Sequence, residues 1–154
     1  MKALAVATVC FAAVCTSAFS AEAGQVISVR LGPSTFAAGD SITVDQVTAT
    51  SALIAPGDTV AVVGHYRLSS RRVAQLGLSA TVPREIATSG GAGRSIEVVA
   101  GEGTFSLTMQ VKQEGALHVT LYDAVSHKPF GTAYFGTKEQ MQKITGMSMA
   151  DFRR

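Results

Sequence analysis

From Gln25 onward, one-by-one alternation of apolar and polar side chains dominates the chain. Over residues 104–112, Phe105, Leu107, Met109 and Val111 fall on one side, with Ser106, Thr108 and Gln110 on the other. Leu117, Val119 and Leu121 repeat the arrangement against His118, Thr120 and Tyr122. Upstream, Val60, Val62, Tyr66 and Leu68 share a face, and Ala74, Leu76, Leu78 and Ala80 continue the scheme. A period of two marks half-buried strands, because successive side chains of an extended backbone point to opposite faces. Gly64 interrupts the first of these faces, where a neighbouring chain can approach closely or a bulge can form.

Fainter alternation marks residues 25–31, 41–48, 95–99 and 130–135. These windows predict about eight strands, separated by Gly-Asp, Pro-Gly, Gly-Gly and Lys-Pro breaks. Short strands with one apolar face predict an all-β fold, an immunoglobulin-like antiparallel sandwich of about 7–8 strands. A closed barrel is the alternative. Phe36-Ala37-Ala38-Gly39-Asp40-Ser41-Ile42 is echoed by Ile54-Ala55-Pro56-Gly57-Asp58-Thr59-Val60. Turn chemistry alone selects Gly-Asp before a strand, so the echo is not taken as a repeat architecture.

The pattern changes at both ends. Thr137 with Gln140 three residues on has the form of a capping box, predicting a short helix over 138–145 stopped at Gly146. Met141 and Ile144 give that helix a narrow apolar stripe, and Met149 and Phe152 fall in a less regular tail. Residues 1–23 read as a signal peptide. Lys2 precedes an apolar stretch over 3–14, and Ala21-Glu22-Ala23 fits an A-x-A cleavage pattern. The expected organisation is therefore 1–23 leader, 24–136 sandwich and 137–154 helical tail. The destination is the periplasm or the exterior, with no transmembrane helix after processing.

Composition sharpens this picture. Of 154 residues, 47% are hydrophobic and 16% charged, with Lys+Arg 13 against Asp+Glu 11 for a net charge of +2. So much apolar content with so little net charge argues against global disorder. The same balance leaves no footprint for a nucleic-acid binder. Both cysteines, Cys10 and Cys15, lie within the leader, so the processed chain carries neither a disulfide nor a thiolate nucleophile. Ala12-Ala13-Val14 before Cys15 is a poor lipidation signal.

Candidate chemistry is sparse. His65 and Arg67, followed by Arg71 and Arg72, form a local basic cluster near a strand-to-strand turn, suited to an acidic protein or polysaccharide. His118 and His127, with Asp123 between them, are the candidates for a Cu or Zn site, to which Met109, Met141, Met147 and Met149 could add thioethers. His118 and Asp123 lie five apart on one strand, which sets them on opposite faces. The Gly-rich stretch over 89–94 leads into a strand and lacks the Gly-Lys-Ser/Thr ending of a phosphate loop. Ser, His, Asp and Glu are all present, but no Gly-x-Ser-x-Gly elbow or His-Glu-x-x-His motif organises them into a hydrolase site. No motif demands a cofactor. Phe130, Tyr134 and Phe135, with Gly131 and Gly136, form either an edge strand of the core or an exposed strip.

Pro56-Gly57-Asp58-Thr59-Val60, Gly64-His65-Tyr66-Arg67-Leu68 and the strand over 115–123 with its preceding turn are similar to immunoglobulin-like sandwich modules of exported bacterial proteins. The resemblance is architectural. It lacks a Cys-Trp-Cys core and a tyrosine corner, so no functional residues are carried over. The sequence reading is an exported, non-catalytic interaction module. A periplasmic metal-binding protein and a small secreted hydrolase are the alternatives.

Overall fold

The computed structural model describes residues 24–81 and 94–145. The signal-peptide expectation, most of the Gly-rich stretch and the tail beyond the helix lie outside these residues. The strands are β1 (Gln25–Val26), β2 (Arg30–Thr35), β3 (Ser41–Ala49), β4 (Thr59–Thr81), β5 (Ser95–Gln110), β6 (Ala116–Asp123) and β7 (Pro129–Gly136), followed by helix α1 (Lys138–Thr145). All belong to one antiparallel sheet in the order β1-β3-β4-β6-β7-β2, with β5 also paired to β4.

The organising element is β4, which runs for 23 residues. β3 lines its first half, from Ala49 opposite Val60 to Ser41 opposite Arg67. β6 lines its second half, from Asp123 opposite Ala74 to Ala116 opposite Thr81. β5 follows the other edge of β4 through both halves. Between Leu68 opposite Gly101 and Val73 opposite Val99, residues 69–72 of β4 face only Ala100. Extra residues on one strand bend it. Gly101, at φ 113, gives β5 the conformation needed to follow.

The sheet therefore curls, and its two halves enclose one core. Val60, Val62, Leu68, Phe105 and Leu107 come from the first half, and Leu76, Leu78, Leu117, Val119, Leu121 and Phe135 from the second. Burying each side chain of this size contributes about 1.5–3 kcal/mol. Gly64 is required by this packing, because a Cβ there would collide with the Thr43 carbonyl oxygen and the Phe105 ring. The β3 register shifts beside it, between Val44 and Gln46.

The eight alternating windows correspond to seven strands. Two pairs of windows fuse through the bend, forming β4 and β5, while the window over 25–31 divides into β1 and β2. The face opposite the core is also less polar in environment than alternation implies. Thr120 is buried and His118 half-buried, because Tyr134 and Thr132 of β7 pack beside them. Phe135 is fully buried and Phe130 partly so. The helix starts where its capping box places it, with Met141 and Ile144 buried against Ala116 and Tyr134. No helix among the described residues is long and apolar enough to cross a membrane.

Candidate binding rim

The bend in β4 begins with a turn on another strand's approach. The Asp40 amide donates to the Ala37 carbonyl at 3.0 Å, with Gly39 at φ 85, the conformation glycine supplies in such turns. The turn delivers the buried Asp40 carboxylate to the corner of β4. Oδ1 accepts the amides of Ser69 (2.8 Å) and Ser70 (2.9 Å) and the Ser69 hydroxyl (3.3 Å), while Oδ2 accepts the Ser70 hydroxyl at 2.5 Å. Burial alone would raise its pKa. The Ser70 hydroxyl, then the Ser69 and Ser70 amides and the Ser69 hydroxyl, together outweigh burial and hold it below the usual carboxylate value.

Arg71 and Arg72 follow on the same bend. The Arg71 guanidinium lies 4.4 Å from the Phe130 ring centroid, with Nη1 3.4 Å from Asp123 Oδ2. Asp123 shapes the hairpin between β6 and β7. Its Oδ1 accepts the Val125 amide (3.2 Å), the Ser126 amide (2.8 Å) and the Ser126 hydroxyl (3.0 Å). The Ser126 amide leads these contacts in holding its pKa low, with Arg71 a smaller contributor. Two backbone bonds of 2.9 Å close the loop, from the Asp123 amide to the Lys128 carbonyl and from the His127 amide to the Asp123 carbonyl, with His127 at φ 54. This hairpin carries exposed Lys128 between Asp123 and Phe130, the two residues that touch Arg71, and leaves Val125 89% exposed at its tip.

His65 and Arg67 occupy the outer face of the first half of β4, leading up to the corner. His65 Nδ1 pairs with Asp45 Oδ2 at 2.5 Å, and Arg67 Nε lies 3.8 Å from Glu102 Oε1. Exposed pairs of this kind each contribute about 0–1 kcal/mol. Among the described residues His65, Arg67 and Arg71 each lie against a carboxylate, whereas Arg72 and Lys128 have no carboxylate partner. The structure thus gathers Arg71 and Arg72 at one corner, with Arg67 at its threshold and His65 two residues further back. Local sequence missed Lys128 and Val125. The Lys-Pro break marked a turn there, but nothing local placed that turn beside residues 71–72.

The two candidate metal ligands have different surroundings. The His118 ring lies tilted at 49° against Tyr134, with ring centroids 5.0 Å apart, and its Nδ1 shares a hydrogen with the Thr120 hydroxyl at 2.8 Å. Thr120 in turn bonds Thr132 at 3.1 Å. Burial pushes the His118 pKa down to about 4, so its imidazole is neutral at pH 7. His127 belongs to the hairpin turn beyond the end of β6, while His118 lies five residues inside that strand, a separation of about 16 Å along extended backbone. No group of three or more His, Cys, Asp or Glu among the described residues is placed to hold a metal ion. Met109 and Met141 are buried in the apolar clusters, and Met147 and Met149 lie outside the described residues. Comparison with protein-family models, with curated proteins and with solved structures finds no match to this chain.

Proposed function

We propose that the chain is an exported, non-catalytic module that binds an acidic protein or polysaccharide in the envelope or outside the cell. Within the all-β class, its place among immunoglobulin-like sandwiches rests on the resemblance carried by residues 56–68 and 115–123. The single observation that supports the binding reading is the corner of β4. There Asp40 pins the backbone, Arg71 is held over Phe130, and Arg72 stands exposed without a carboxylate partner among the described residues, as does Lys128 in the hairpin that supplies Asp123 and Phe130. Exposed cations beside a backbone pinned by Asp40 present a positive field that an acidic chain can meet.

The test is titration of an acidic polysaccharide at rising ionic strength. Binding should weaken as salt rises, and Arg67→Gln, Arg71→Gln and Arg72→Gln together should weaken it at least about tenfold while the fold is kept. Binding unchanged in the triple variant would overturn the rim assignment.

A further inference from the structure

We propose that the chain forms a two-fold symmetric dimer in which residues 102–112, the second half of β5 and its extension, pair antiparallel with the same residues of a second copy, centred on Leu107. Among the described residues β5 is hydrogen-bonded along one edge alone, to β4. The direction of its other groups follows from Val111. Its amide donates to the Asp58 carbonyl, and its carbonyl accepts from the Gly57 amide, both at 2.8 Å. Both groups of Val111 therefore turn toward the segment that leads into β4. In an antiparallel ladder alternate residues turn their groups to opposite sides, so Thr104, Ser106, Thr108 and Gln110 offer theirs to the open edge.

Open edges in folded proteins are commonly blunted by proline, charge, bulges or short length. The edges formed by β1, β2 and β3 follow that rule. β1 has 2 residues. β2 carries Arg30 and Pro33 with a register shift, and α1 packs against it. The open part of β3 carries Asp45 at its own register shift. Residues 103–110 of β5 carry no proline, no charge and no shift against β4.

What flanks this stretch selects a second copy as the occupant. Glu102 and Lys112 lie five residues either side of Leu107 and are both exposed. With Leu107 on the two-fold axis, Glu102 of each chain faces Lys112 of the other. The same register sets Thr104 opposite Gln110 and Ser106 opposite Thr108 as hydrogen-bonded pairs, all even-numbered, as the direction of the open-edge groups requires. It brings no like charges together. Glu102 keeps Arg67 as its own-chain neighbour at 3.8 Å and gains a second cation across the axis.

Sedimentation equilibrium of the protein expressed from its full coding sequence tests this. A reversible monomer–dimer equilibrium is expected. Glu102→Lys or Lys112→Glu alone should weaken the dimer at least about tenfold, and the two together should restore it to within about threefold. Ser106→Lys with Thr108→Lys, which places like charges across the axis, should abolish it. Circular dichroism should be unchanged in all four variants, since every altered side chain is exposed. A chain that stays monomeric overturns the proposal, whether its β5 amides exchange freely or are covered by another part of the same chain. So does a dimer that the single reversals leave intact or that the double reversal fails to restore.

Discussion

Asp40 and Asp58 occupy nearly the same local sequence, and both turns close alike, Asp amide to Ala carbonyl at 3.0 Å with a glycine at positive φ. Their carboxylates do different work. Asp58 stays within its loop, accepting from the Thr50 and Ser51 hydroxyls and the Ala55 amide. That loop holds buried Ile54 at φ 51, a conformation that costs a β-branched side chain on the order of 1–3 kcal/mol. Asp40 reaches across to a strand 29 and 30 positions away. The turns were legible because Gly-Asp is local chemistry, whereas the carboxylate's partner depends on how distant strands pair. His118 makes the same point. Alternation placed it on a polar face, but burial beside Tyr134 depresses its pKa from 6.5 to about 4. A depressed histidine stabilises the fold fully above its unfolded pKa, and that stability declines as pH falls from 6.5 towards 4. The loss should reach about 3 kcal/mol at about 1.4 kcal/mol per unit. Urea midpoints measured across this window should fall in the native chain, with a much flatter profile in His118→Gln. Equal slopes in both would place the pH dependence elsewhere.

At the scale of elements, alternation identified the inward faces of both halves of β4, of the second half of β5 and of β6, because burial of one face imposes it. It could not tell where strands end. Residues 69–72 and 100–101 lack alternation and resemble loops, yet β4 and β5 each continue through them and pair again from Val73 opposite Val99, with Asp40 bonded to the β4 backbone at Ser69 and Ser70. The helix was more fully legible, since a capping box is a local signature. The Gln140 side chain accepts the Thr137 amide at 2.9 Å, and the Thr137 hydroxyl accepts the Gln140 amide at 3.3 Å. The Gln140 side-chain Nε2 also donates to the Ile54 carbonyl at 3.4 Å, so the cap fastens α1 to the strained loop. Thr137→Ala should cost about 1 kcal/mol in a chemical melt. Gln140→Ala should cost at least as much and also speed amide exchange around residue 54. Unchanged exchange there would mean that the tie across to the loop carries no weight.

For the whole molecule, one strand serves two half-sheets, and the fold turns on its corner. β3 and β6 both pair with the same edge of β4, one on each side of residues 69–72, so the bend decides whether their apolar faces meet. It also sets Arg71 and Arg72 beside the β6–β7 hairpin, the arrangement on which the proposed binding rim rests. Of that rim, the four sequence candidates were legible as a cluster of charge. Their division into paired and unpaired cations was not, because Asp45, Glu102 and Asp123 arrive from other strands. Removing the Asp40 carboxylate leaves its donors at the corner without their acceptor, and Asp40→Ala should destabilise the chain by about 2–3 kcal/mol. The most direct measurement is amide exchange at Ser69 and Ser70 by nuclear magnetic resonance, in the native chain and in Asp40→Ala. Slow exchange at both positions, lost in the variant together with protection along the second half of β4, is the predicted result. Free exchange of these two amides in the native chain would contradict the pinned corner.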